Sequence, residues 1–248
     1  MGEVSEKRPE YTPKPMSSTT TYALGAVAVV VIVLVVLAVF RFGRDEAAVR
    51  NDGYGPVHDP AVLVVLQMDS SILLGKPDAK KTIDLYEDPL CPGCGNVERI
   101  YGQELAQAVD EGKLALRYHL VNFLDEQSAS KDYSTRAVAA NLCVAEASSG
   151  PTYSKFHTEL FTTKRPSEGG DDHDNAALAD IAAAAGAPES VKLCIARGAK
   201  VDTARATAKS ALDALGKALG GDAATPAVFD GDTKVDVNKE DWVATLTP

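Results

Sequence analysis

Two of the chain's four cysteines stand three residues apart, within EDPLCPGCG at 87–95. What flanks the pair constrains the fold more than any other feature. KTIDLYED at 81–88 alternates, with Ile83 and Leu85 on one face and Asp84 and Tyr86 on the other, which is the period of a strand. GNVERIYGQELAQAVDE at 95–111 places Val97, Ile100, Tyr101, Leu105 and Val109 along one side of a helix. The pair therefore falls where the period changes from two to about 3.6. Pro92 suits the first helical position, where no N–H is needed.

That position carries chemistry. The first turn of a helix has unsatisfied N–H groups and a partial positive charge. A cysteine there has its pKa drawn from about 8.5 towards the range of about 3.5–7.5 that marks reactive thiols. The spacing predicts Cys91 as the attacking thiolate. Cys94, one turn deeper, is the resolving thiol that attacks a mixed disulfide on Cys91. A zinc site would need about four ligands. Here Cys143 and Cys194 stand alone, and His58, His119, His157 and His173 show no close pairing. A purely structural staple would close a small, strained and labile ring. His119 and His157 read as packing or surface residues and Trp242 as core.

The setting follows from the N-terminus. YALGAVAVVVIVLVVLAVF at 22–40 is uninterrupted by charge. As a helix it spans roughly 28 Å, close to the hydrocarbon thickness of a bilayer. A cleaved signal peptide would have a shorter apolar region and a small-residue cleavage site. Lys7, Arg8 and Lys14 precede the span, and Arg41, Arg44 and Arg50 follow it, so positive charge does not fix the orientation. The expected order is a disordered cytoplasmic tail at 1–21, a transmembrane helix at 22–40, a linker at 41–60 and one folded domain at 61–248. A single anchor ahead of a soluble domain implies that the domain lies outside the cytoplasm. The net charge of −10, with no basic stripe, argues against nucleic-acid binding.

Within the domain, AVLVVLQM at 61–68 and KLALRYHLVNFL at 113–124 read as strands on either side of the strand–cysteine–helix unit. SSILLGKPDAK reads as a lead into a turn at 75–78. Residues 132–219 are alanine-rich, lack strand alternation and read as about four helices. PAVFDG and TKVDV then form a hairpin around 230–232, and NKEDWVATL a closing helix. The class is α/β, with an all-helical insertion at about 130–220.

GKPDAKKTIDLYEDPLCPGCG, with Asp88 three residues before Cys91, YSKFHTELF in the insertion and ATPAVFDG at 224–231 together resemble the DsbA-like thioredoxin-fold family. The likeness is greatest to its membrane-anchored actinobacterial members and covers roughly 70–248. It implies a thioredoxin fold and a thiol:disulfide oxidoreductase that introduces disulfides into exported proteins, with no cofactor or metal. It implies a cis bond before Pro226, which lies against the Cys91-Pro92-Gly93-Cys94 motif, and backbone hydrogen bonds from Thr225 to an extended substrate. It implies a structural disulfide between Cys143 and Cys194; the alternative is two buried free thiols. A membrane re-oxidase of the DsbB or VKOR type is the implied partner, and reduced or unfolded exported proteins the implied substrates. One position departs from the pattern. Many members carry a buried acid six residues before the first cysteine, and here that residue is Leu85. The same site could also run as a reductase or isomerase, and a thioredoxin-fold assembly factor with purely structural cysteines is the other alternative.

Overall fold

The computed structural model describes residues 47–247. The expected tail and transmembrane segment, 1–21 and 22–40, lie outside the described residues. Among the described residues no helix is long and apolar enough to cross a membrane.

Six strands form one mixed sheet: β1 (Leu63–Leu66), β2 (Ile72–Gly75), β3 (Lys81–Glu87), β4 (Leu114–Leu120), β5 (Ala227–Asp230) and β6 (Thr233–Val235). Their spatial order is β1-β2-β4-β3-β5-β6. Only β3 and β4 run parallel, joined by the helix α1 (Pro92–Asp110); the other pairs are antiparallel. β3 is therefore the inner strand of a β-α-β crossover, with Leu85 beside Tyr118 on one flank and Val228 on the other.

Alternation along β3 sets what α1 covers. Ile83, Leu85 and Glu87 turn to the buried face, and each is at most 2% exposed. α1 lays Cys94, Val97, Tyr101, Leu105 and Val109 on that core. Tyr101 meets Trp242 of the closing helix α7 (Trp242–Leu246) edge-on, with ring centroids 5.3 Å apart. Trp242 is 1% exposed, so it belongs to the core.

Five helices fill the insertion: α2 (Tyr133–Ala147), α3 (Gly150–Phe161), α4 (Asn175–Ala185), α5 (Glu189–Ala196) and α6 (Val201–Leu219). A disulfide joins Cys143 of α2 to Cys194 of α5, with Cα atoms 6.0 Å apart. α3 packs against α1 closely enough that a Cβ at Gly95 would lie 2.7 Å from the Phe161 carbonyl oxygen. Glycine is required there for the approach of the two helices.

Four expectations need correction. Residues 72–75 form β2, because Ile72 and Leu74 bury against β4 and the strand pairs on both edges. Two alternate core positions are too short a signal to separate from the lead into a turn. The third strand stops at Leu120, and the closing helix begins only at Trp242. The stretch expected as a linker is structured from about Arg50 onwards. The Arg50 N–H donates to the Ile100 carbonyl at 2.7 Å, the Tyr54 hydroxyl to Asp110 at 3.0 Å and the Val57 N–H to Ser154 at 3.1 Å. Val57 is 3% exposed. Glycines, prolines and charges dominate 50–60, and the segment is held through backbone groups that composition does not reveal.

Candidate active site

The loop between β3 and α1 is fixed by one carboxylate. Asp88 is fully buried, and its oxygens accept from the Leu90 N–H (2.9 Å), the Leu124 N–H (3.0 Å) and the Ser134 hydroxyl (2.6 Å). Its own carbonyl accepts from the Cys91 N–H at 2.9 Å. This turn, with Pro92 opening the helix, sets Cys91 in an extended conformation at the N-cap of α1. Arg165 ties the same loop to the insertion by donating to the Leu90 carbonyl at 3.1 Å.

Cys91 and Cys94 are unbonded to each other, the dithiol form of the site. Cys91 is 7% exposed and Cys94 fully buried. Opposite them the Thr225–Pro226 peptide bond is cis. A Cβ at Gly93 would stand 2.8 Å from the Pro226 ring, so that ring lies directly on the Pro92–Gly93 dipeptide. The Thr225 carbonyl is 3.5 Å from the Cys91 sulfur. Cys91, Pro92, Gly93, Cys94, Thr225 and Pro226 thus meet at one point, although more than a hundred residues separate the two segments. Cys143 and Cys194 belong to the insertion and take no part in it.

The two sulfurs sit in opposite electrostatic environments. The Cys94 thiol donates to Cys91, and the N–H groups of Cys94 and Gly93 add to it. Together they outweigh burial and pull Cys91 down to about 6. Burial drives Cys94 the other way, well above its usual range, and its donation to Cys91 and the nearby Glu87 carboxylate add to the rise. Asp88 is pushed up to about 7, by burial first and by the charge of Cys91, despite its three donors. Of the two sulfurs, Cys91 is thus the one set to ionise and Cys94 the one set to keep its proton.

Three buried ionisable groups lie near the pair beyond the residues the motif singles out. Glu87 faces the core, 2% exposed, on the same side of β3 as Ile83 and Leu85. Strict alternation would have found it. It supplies an acid near Cys94 from two residues further along the strand than Leu85. Glu98 follows Cys94 by one helical turn and is 8% exposed. His157, expected as packing or surface, is 1% exposed, with Nε2 3.3 Å from Glu87 and 4.0 Å from Glu98. His119 lies on the opposite sheet face, stacked on Tyr86 and 2.7 Å from Asp84. Among the described residues no group of three or more His, Cys, Asp or Glu side chains is arranged to hold a metal ion.

Residues 67–247 match the family model described as thioredoxin. A stretch of 183 residues, 72% of the chain, is 39% identical to the serine/threonine-protein kinase PknE of Mycobacterium tuberculosis. It covers 32% of that protein, so the chain spans about a third of the length of the curated relatives it matches. Among solved structures, the MdbA thiol-disulfide oxidoreductase of Corynebacterium diphtheriae superimposes with a TM-score of 0.66 at 28% identity, covering 79% of this chain and 98% of that one. The disulfide bond oxidoreductase DsbG of M. tuberculosis gives 0.55 at 31% identity, covering 77% and 91%. M. tuberculosis DsbA gives 0.55 at 29%, covering 75% and 98%.

Proposed function

Because the chain belongs to the DsbA-like thioredoxin family and is a thiol:disulfide oxidoreductase, we propose that it oxidises exported proteins through the Cys91–Cys94 couple while tethered to the membrane by residues 22–40. The observation that carries this reading is the asymmetry of the two sulfurs. Cys91, at the helix start beside Thr225 and Pro226, has its pKa drawn down to about 6, and the fully buried Cys94 has its own pushed up.

Magnitudes decide what the asymmetry accomplishes. At pH 7 a thiol of pKa about 6 is roughly nine-tenths ionised, against about 3% for a free cysteine near 8.5. Intrinsic nucleophilicity falls with pKa and cancels most of that ~30-fold gain, leaving a factor of about two. The larger effects lie elsewhere. A stable thiolate is a good leaving group, and its stability favours the reduced couple, which makes the disulfide oxidising.

The steps follow. A substrate thiolate attacks the Cys91 sulfur of the oxidised couple, the Cys91–Cys94 bond breaks, and Cys94 takes the electron pair and a proton. A second substrate thiol, once deprotonated, attacks the substrate sulfur of the mixed disulfide and expels Cys91 as thiolate. The substrate leaves oxidised and the protein reduced by two electrons. A membrane oxidase of the DsbB or VKOR type accepts those electrons and restores the disulfide. Substrate is held in extended form along Thr225, whose backbone offers hydrogen bonds beside Cys91.

In Cys94→Ala the Cys91 thiolate attacks a disulfide of an exported protein and expels one of its sulfurs as thiolate, and the mixed disulfide that forms lacks its intramolecular rescuer. Cells expressing Cys94→Ala are expected to accumulate adducts of the full chain that non-reducing gels resolve and reductant dissolves. An absence of adducts, with Cys91 intact and alkylatable, would count against exchange with protein substrates.

A further inference from the structure

α1 covers one face of the sheet, and the side chains that alternate with its contacts turn to the other. Tyr86 of β3 and His119 of β4 lie on that second face, stacked with ring centroids 4.5 Å apart and 12° between their planes. Between this pair and the helices α2 and α6 lies a cavity of about 210 Å³. None of its walls belongs to the groups that surround Cys91.

The cavity is apolar inside and polar at its rim. Leu120, Val138 and Leu142 form the floor, each at most 6% exposed. The turn between β1 and β2 brings Asp69 and Ser70 to the rim. Two backbone bonds fix that turn: the Gln67 N–H donates to the Ser71 carbonyl and the Ser70 N–H to the Gln67 carbonyl, both at 2.9 Å.

Charge at the rim is unbalanced. His119 Nε2 lies 2.7 Å from Asp84, and a ring that donates there leaves Nδ1 as an acceptor. Arg117 donates to the same carboxylate at 3.0 Å, so Asp84 is matched. On α6, Lys209 is paired with Asp213 at 2.7 Å. Asp69 differs. The N–H and hydroxyl of Ser71 both donate to its Oδ1, at 2.9 Å and 2.7 Å. Its Oδ2 is left open, and among the described residues no lysine or arginine pairs with it. Burial works against the charge of Asp69, but the Ser71 donors and the neighbouring His119 ring outweigh it and hold the carboxyl below its usual range.

We propose that this cavity binds a small organic ammonium ion. The apolar body rests on Leu120, Val138 and Leu142, and the ammonium group sits at the rim against Asp69 Oδ2 and His119 Nδ1. An ammonium group carries three donors and no acceptor, which suits two open acceptors. The electron-rich ring face of Tyr86 adds to the attraction. A cavity of about 150 Å³ already holds a benzene ring, so the space admits one ring with a short chain. A carboxylate head group would meet the like charge of Asp69, and an uncharged one would leave that charge unmatched.

Phenethylamine, phenethyl alcohol and hydrocinnamate test the site, since each has one ring and they differ in head-group charge. Their binding to the full chain in detergent is followed by ligand-observed NMR. An Ala211→Phe chain serves as the blank for partition into micelles, because the added ring fills the cavity from α6. The amine is expected to bind most tightly and hydrocinnamate least. Ala211→Phe should lower the affinity for the amine by about tenfold or more. Asp69→Asn, on an exposed turn, should weaken the amine by about two- to fivefold, the size of one rim ion pair, and leave the alcohol unchanged. Hydrocinnamate binding as well as the amine, no binding beyond micelle partition, or an amine affinity that either substitution leaves unmoved overturns the site. Where Ala211→Phe does not fold, Asp69→Asn decides. Alkylation of Cys91 should be the same in all these chains, so failure of this site and failure of the exchange chemistry are separate results.

Discussion

Cys91→Ser is expected to reduce oxidation of a reduced, unfolded test protein to the uncatalysed background, a loss of at least about a hundredfold given that a hydroxyl neither ionises near neutral pH nor forms a disulfide. The hydroxyl fits where the sulfur sits, so the fold is retained and the loss reports chemistry. Everything that tunes the position remains in the variant: the Asp88 turn, the N–H groups of Gly93 and Cys94, and the Pro226 ring above them. The contrast with Cys94→Ala is instructive. That variant keeps the reactive sulfur and should still form adducts, whereas Cys91→Ser should form none. Oxidation rate measured for the two purified variants beside the parent checks both statements. A Cys91→Ser protein that retains activity would mean that exchange does not run through this site.

The second large effect concerns stability. Cys143 and Cys194 close a loop across 51 positions and connect α2 to α5 within the insertion. In the chain-entropy model, restraining a loop of that length in the unfolded chain contributes about 4 kcal/mol. Replacing both cysteines by alanine should therefore lower the melting temperature by on the order of 10 °C for a domain of this size. Cys143 is buried at 2%, so part of the loss comes from contacts made by its sulfur in the core. Scanning calorimetry on the double variant gives the number. A shift under about 2 °C would show that the helices hold together without the bond. The double variant should leave Cys91 chemistry intact, since the bridge touches none of the groups around it.

Why some of this was legible in the chain and some was not has a physical cause. The strand–cysteine–helix unit could be read because its signals are local: period two up to Glu87, a proline at the first helical position, period 3.6 afterwards. The helical insertion could be read because alanine runs and Gly–Pro breaks mark helices without reference to neighbours. β2 escaped because four residues between turns give too few positions for a period to show. The segment 50–60 escaped because it is bound by main-chain groups to Gln103, Asp110 and Ser154, side chains from forty to a hundred residues away.

At the site, the same distinction holds. Glu87 was within reach, since alternation from Ile83 and Leu85 assigns it to the buried face. His157 was not, because nothing in YSKFHTELF says that its ring will face two carboxylates contributed by other elements. A buried ion cluster is a property of the tertiary fold. The helix start, by comparison, is a property of a few consecutive residues, and it carried the functional reading.

The most direct test is a titration of Cys91 itself. In the reduced protein, thiolate ultraviolet absorbance and the rate of alkylation by iodoacetamide are followed across pH, with Cys91→Ser as the blank. The expected curve has one thiol ionising near pH 6, absent from the blank, and no second ionisation until well above the usual cysteine range. The sign is set by the folded value lying below that of an unfolded cysteine, about 8.5. Stabilisation of the reduced fold by this thiolate is complete above about pH 8.5 and lost as pH falls through about 6. A Cys91 that ionises near 8.5, like a free cysteine, would contradict the mechanism at its root.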